Sequence, residues 1–171
     1  DPYLSTYNPV AETWSHITRP EWATLPNSSY GGIARFGNTV FVTDMLEGNP
    51  PGGVVAFNAS NGMSSEFATN LSPNDLNLGL DGKLWVLSGS AAYAFNPSTF
   101  ASMGSVNLPG GFDVRGLAVT ANGDFYLATH DKLLVHLSPN GSLLGTLSFP
   151  DNLSDVDVAP DGRVLVGTRL D

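Results

Sequence analysis

Four acidic or amide side chains stand in two short, similar runs, Asp75-Leu-Asn77 and Asp155-Val-Asp157. Together they offer the hard oxygen ligands that Ca2+ or Na+ takes up. Brought together without a cation, clustered carboxylates repel one another and their pKa values rise. The other use of Asp and Asn at strand ends is to accept hydrogen bonds from nearby backbone amides. Both readings fit the residues.

Three histidines complete the inventory of acid/base groups: His16, His130 and His136. His136 lies between Val135 and Leu137 and reads as a surface residue of an outer strand. His130-Asp131 would make an acid/base pair if a nucleophile stood near. No Gly-x-Ser-x-Gly elbow supplies one, and no His-Glu-x-x-His, phosphate loop or dinucleotide fingerprint occurs. The chain has no cysteine, which excludes disulfides, zinc-thiolate sites and thiol catalysis.

Whatever these residues do, a framework of strands must position them. The chain has 171 residues, the size of one ordinary domain, and 42% of them are hydrophobic. Only 13% are charged, while Gly (19) and Pro (12) are abundant, which points to many short strands joined by tight turns. The net charge is −9 with two lysines, Lys83 and Lys132, so nothing clusters cations for nucleic acid or an anionic membrane surface. No apolar run approaches the ~20 residues that span a bilayer, so membrane insertion is not expected. The sequence starts at Asp1 rather than Met, which reads as a processed mature protein or a piece of a longer one. Five Asn-x-Ser/Thr triplets, at Asn27, Asn58, Asn70, Asn140 and Asn152, would accept glycans in a secretory setting. With the low-lysine surface they place the expected home outside the cell or at its surface.

Four segments repeat: residues 31–44, 74–87, 115–128 and 154–167. Each is a short alternating strand, a turn and a more apolar strand, with Asp81-Gly82, Asn122-Gly123 and Asp161-Gly162 closing tight hairpins. A second hairpin follows in each unit, its first strand ending at Asn58, Asn96 or Ser138. Each unit is therefore a four-stranded antiparallel meander of about 40 residues, the period of a propeller blade. The expected fold is an all-β propeller of four blades, as one domain with units at about 18–68, 69–108, 109–147 and 148–171 plus 1–17.

The last unit combines both termini. Asn8-Pro9 occupies the place of Asn96-Pro97, so the opening residues supply the second hairpin and residues 154–167 the first. Taking Tyr7, Phe57, Phe95 and Leu137 as equivalent, the spacings are 50, 38 and 42, with 41 back round to Tyr7. Such a blade hides sheet edges that otherwise invite aggregation. Two other arrangements share the pattern: a slice of a larger propeller, and exchange of the amino-terminal hairpin with a neighbouring chain, giving a homo-oligomer or, head to tail, a fibre.

Phe41, Trp85, Tyr126 and Leu165 occupy matched second-strand positions and read as the wedge packing between blades. Two segments, Arg19–Tyr30 and Met45–Gly53, are insertions relative to the other units. Loops longer than their equivalents are where recognition concentrates. Trp22, Tyr30, Met45, Leu46 and Asn49 are the candidate residues for a protein or glycan ligand, beside the alternative that they fill gaps at the ring's edge.

Gly116-Leu-Ala-Val-Thr-Ala-Asn-Gly-Asp-Phe-Tyr-Leu-Ala128 resembles the NHL-repeat propellers and the related lyase and gluconolactonase-like propellers. The likeness covers all four units and implies fold more than activity. Pro73-Asn74-Asp75 with Asp81-Gly-Lys-Leu-Trp85 looks like a gluconolactonase-like motif, whose Asn position can bind a divalent metal. Tyr7-Asn-Pro-Val-Ala-Glu-Thr-Trp14 looks kelch-like over eight residues. The leading expectation is a non-enzymatic extracellular binding or scaffolding module. The alternatives are a structural subunit of a filament or array, and a metal-dependent hydrolase or lyase using Asp75, Asn77, Asp155 and Asp157, which opposite blades of a four-blade ring would bring together near its axis.

Overall fold

A computed structural model describes residues 3–18, 28–29, 31–46 and 52–169. Among the described residues every regular element is a strand. Blade one contains β4 (Ile33–Phe36), β5 (Thr39–Leu46), β6 (Gly53–Asn58) and β7 (Ser64–Phe67), with the two-residue β3 (Ser28–Ser29) added along the far end of β5. Blade two is β8 (Pro73–Leu78), β9 (Leu84–Ser88), β10 (Ala91–Phe95) and β11 (Ser102–Asn107). Blade three is β12 (Val114–Val119), β13 (Phe125–Thr129), β14 (Leu133–Leu137) and β15 (Leu143–Ser148). Then come β16 (Asn152–Val158) and β17 (Val164–Arg169), a pair on their own. The hairpin of β1 (Tyr3–Asn8) and β2 (Thr13–Thr18) is likewise separate.

The turns form for the reason the sequence gives. Gly82, Gly123 and Gly162 take φ of 80°, 89° and 87°, which a side chain would strain. The aspartates before two of them fasten the turn, Asp81 accepting the amide of Lys83 at 3.2 Å and Asp161 that of Arg163 at 3.1 Å.

Blades pack face to face through three seams. Phe41, Val54, Leu76, Leu84 and Val86 join blades one and two. Trp85, Leu87, Leu117, Phe125 and Leu137 join two and three, and Ala118, Leu134, Val156 and Val158 join three to the β16–β17 pair. Phe41, Leu84, Leu117 and Phe125 lose all their exposure, and each such side chain stabilises by roughly 1.5–3 kcal/mol. The wedge reading holds for three of its four positions, since Phe41, Trp85 and Tyr126 each face the following blade. Among the described residues no blade packs on Leu165, which is 53% exposed.

The arc is open. Among the described residues β17 pairs only with β16, and β1 and β2 pair only with each other. The expected joining of both termini in one last blade is not made. Ile33, whose counterparts Leu76, Leu117 and Val156 are buried against the preceding blade, is 63% exposed.

Candidate functional site

Three of the four inner strands, β8, β12 and β16, share one irregularity. Between Pro73 and Asp75, Val114 and Gly116, and Leu153 and Asp155 the register against the second strand shifts. A bulge re-aims the side chain that follows it, here Asp75 in blade two and Asp155 in the β16–β17 pair. Asp75 is buried and reaches into the next seam, where its Oδ2 accepts the Leu117 amide at 2.9 Å. On its other side stands Gly32, where a Cβ would lie 2.5 Å from the Leu76 amide nitrogen. Gly116 repeats this relationship one seam on, since a Cβ there would lie 2.7 Å from the Cα of Asp155. Each aspartate thus rests against a glycine of the blade before it.

The four acidic or amide residues singled out from the sequence do come together. Asp75, Asn77, Asp155 and Asp157 line one pocket of about 200 Å3, with Gly32 and Leu117 beside them. The Asn77 amide donates to Asp157 Oδ1 at 3.4 Å. The same oxygen accepts from the Val158 amide at 2.8 Å, and Asp155 Oδ1 accepts from Val156 at 2.8 Å. These oxygens serve backbone amides. Among the described residues no three Asp, Glu or His side chains gather as a metal-binding group.

Burial pushes the Asp75 carboxyl up to about 7, and the neighbouring Asp155 adds to the rise. The amides of Leu117 and Leu76 hold it down against both. The pocket can therefore hold or release one proton near neutral pH. No histidine serves it. His130 lies 3.8 Å from Asp113 and 3.2 Å from the Asn152 amide, while the Asp131 carboxylate accepts the Asp113 amide at 2.8 Å. His136 is partly buried, stacked on Tyr126 at 4.5 Å between ring centres and 3.3 Å from Asp124.

Of the candidate binding residues, Trp22, Tyr30 and Asn49 lie outside the described residues. Met45 and Leu46 end β5, paired through their backbones with Ser29 and Ser28. That pairing joins two residues of each insertion at the end of β5. Sequence reasoning missed Gly32, Gly116 and the Leu117 amide as parts of the site. Their signal was the alternation of Gly and Asp down the inner strands.

Radially stacked four-stranded meanders with small residues and carboxylates on their inner strands define a β-propeller fold. No protein-family profile matches the sequence, and no curated protein matches it. Solved structures do match. The chain superposes on virginiamycin B lyase from Staphylococcus aureus with a TM-score of 0.70 at 14% identity, over 97% of this chain and 56% of that one. It matches glutaminyl cyclase from Myxococcus xanthus with a TM-score of 0.60 at 18% identity, over 92% and 72%. It matches the extracellular domain of a hybrid two-component system from B. thetaiotaomicron with a TM-score of 0.64 at 19% identity, over 97% and 23%. At these identities the likeness shows the fold alone. The chain spans about half the length of the streptogramin B and virginiamycin B lyases it superposes on, 50% and 56%.

Proposed function

We propose that this chain is a non-enzymatic binding and scaffolding module, outside the cell or at its surface, that takes a protein or glycan ligand on the rim of blade one. The observation that carries this is the β3–β5 pairing, which joins Ser28 and Ser29 of one insertion to Leu46 and Met45 of the other. Paired insertions on a rigid sheet are the usual ground of recognition. An extracellular domain among the matched structures supports the location. The lyase and the cyclase among them are enzymes by name, but here the inner carboxylates accept backbone amides, and among the described residues no histidine reaches them.

The test is a glycan array and a panel of immobilised extracellular proteins, probed with the labelled full chain, its Trp22→Ala and Leu46→Ser variants, and Asp75→Asn. The rim variants are expected to lose binding by about tenfold or more, while Asp75→Asn binds as the parent does. Binding that persists in both rim variants overturns the reading, and so does a lactone hydrolysis or lyase activity that Asp75→Asn abolishes.

A further inference from the structure

Three Asn-Gly pairs stand in hairpin turns: Asn61-Gly62 between β6 and β7, Asn122-Gly123 between β12 and β13, and Asn140-Gly141 between β14 and β15. The feature that suits them to turns also makes them labile. Glycine has no Cβ to crowd its nitrogen, and the amide of the asparagine before it comes within reach whenever the turn opens. In sequence the three pairs are equivalent, and all three asparagines are exposed. Their glycines take φ of 71°, 89° and 84°. Each glycine gives its amide to a carbonyl of the turn, Gly62 to Asn58 at 2.8 Å, Gly123 to Thr120 at 3.0 Å and Gly141 to Ser138 at 2.9 Å.

What differs is how the asparagine side chain is held. Asn122 is held at both ends, its Oδ1 accepting the Thr120 hydroxyl at 2.5 Å and its Nδ2 donating to Asp124 Oδ2 at 3.2 Å. Asn140 Oδ1 accepts the Ser138 hydroxyl at 2.5 Å and the Ser142 amide at 3.2 Å. Blade two backs that turn as well, since a Cβ on Gly141 would lie 3.0 Å from Val106 Cγ1 and closer still to the Asn107 carbonyl. Asn61 Oδ1 accepts the Met63 amide at 3.0 Å. Two places before it stands Ala59, where the other turns have Thr120 and Ser138, so no hydroxyl clamps it from that position.

We propose that Asn61 is a site of spontaneous deamidation, the labile one of the three pairs in the folded chain. When the turn opens, the Gly62 nitrogen gives its proton to hydroxide or a buffer base and bonds to Asn61 Cγ. The Cγ–Nδ2 bond breaks, and the side-chain nitrogen takes up a proton and leaves as ammonia. Water then opens the five-membered imide at one of its two carbonyls. Opening at Cγ leaves aspartate, and opening at the backbone carbonyl leaves isoaspartate, whose main chain runs on through Cβ and Cγ. The net change is one water in and one ammonia out, and the new carboxylate takes the net charge from −9 to −10. Isoaspartate also adds an atom to the backbone just before β7, whose register sets Phe67 opposite Val54. Phe67 stacks on Phe100 of the next blade at 4.9 Å, so the change falls on a strand that packs the first seam. The proposal is independent of what the rim of blade one binds.

The test holds the unglycosylated full chain at mildly alkaline pH, in buffer and in guanidinium chloride, and reads aspartate and isoaspartate at each position by peptide mass spectrometry. In denaturant the three pairs are expected to react at similar rates, because each is asparagine followed by glycine. In buffer Asn61 is expected to outpace Asn122 and Asn140 by about tenfold or more, the effect of one or two hydrogen bonds on turn opening. Thr120→Val removes the clamping hydroxyl and keeps the branched shape, so it is expected to raise the Asn122 rate severalfold. Ser138→Ala makes the same test at Asn140, and an Asn61 rate equal to the parent's shows that each variant is folded. Equal rates at the three positions in buffer overturn the proposal. So does the same order of rates in denaturant, which would place the cause in the local sequence, and so do Asn122 and Asn140 rates that neither variant raises.

Discussion

The carboxylate of Asp75 accepts the amide of Leu117 at 2.9 Å, across the seam between the second and third blades. One side chain thereby fixes the height of one inner strand against the next, and it does so from a position where its charge is poorly solvated. With a pKa near 7 in the folded chain and an ordinary value of 3.8, Asp75 keeps its proton on folding over a pH range where the unfolded chain has lost it. Stability is therefore greatest below about pH 4 in this group's contribution and falls as pH rises toward 7, by on the order of 4 kcal/mol at most. Asp75→Asn keeps an acceptor for the Leu117 amide and has nothing to ionise. Urea unfolding at pH 4.5, 6 and 7.5 is expected to show a steeper fall for the parent than for the variant, which is the more stable of the two at pH 7.5. Parallel profiles would remove Asp75 as the source.

The glycine that abuts Asp155 should tolerate no side chain. At Gly116 a Cβ meets the Asp155 Cα at 2.7 Å and the Val156 amide nitrogen at 3.0 Å, both backbone atoms. Gly116→Ala is expected to destabilise by about 1–3 kcal/mol, the usual cost of overpacking. Gly145 on β15 has nothing within 4 Å of its Cβ position, so Gly145→Ala should stay within about 0.5 kcal/mol of the parent. Thermal unfolding of the two variants checks the contrast, which fails if they shift alike.

The glycan acceptors should divide by burial. Asn58, Asn70 and Asn140 are exposed, whereas Asn152 is buried with its amide 3.2 Å from His130 Nε2. Expressed through a secretory pathway, the chain is expected to carry glycan at the first three positions and none at Asn152. Glycopeptide mass spectrometry reads this directly, and occupancy at Asn152 would contradict the burial.

In the inner pocket one oxygen each of Asp75, Asp155 and Asp157 is already engaged by a backbone amide, that of Leu117, Val156 or Val158. Millimolar Ca2+ or a chelator is therefore expected to leave Tm unchanged, since a ligand stabilises only the state it binds. A rise of several degrees with Ca2+ that Asp155→Asn removes would show the carboxylates turning to a metal instead.

The blade pattern was legible because each turn needs its own chemistry, and Asp81-Gly82, Asn122-Gly123 and Asp161-Gly162 recur beside apolar strands. The wedge residues were legible for the same reason: Phe41, Trp85 and Tyr126 hold one position in a repeat. What a repeat cannot state is whether a neighbour exists. Leu165 sits in the wedge position and faces no blade among the described residues, and the matching of spacings round the ring could not reveal this, because spacings taken round any circle return the chain length. Nor does alignment show contacts between non-equivalent neighbours. Gly32 with Asp75, and Gly116 with Asp155, are successive in space but occupy the same column of the repeat. Their meeting depends on how far one blade is rotated from the next.

The two described indoles occupy opposite surroundings. Trp85 is buried, donates to Asp81 at 3.2 Å and lies edge-on to Phe125 at 4.8 Å. Trp14 is 65% exposed beside Tyr7. With Trp22 replaced by Phe, the chain becomes its own two-channel optical gauge. Blue-edge emission from Trp85 follows the integrity of the seam between blades two and three, and red-edge emission from Trp14, quenched by iodide only while the hairpin stands in water, follows what the hairpin touches.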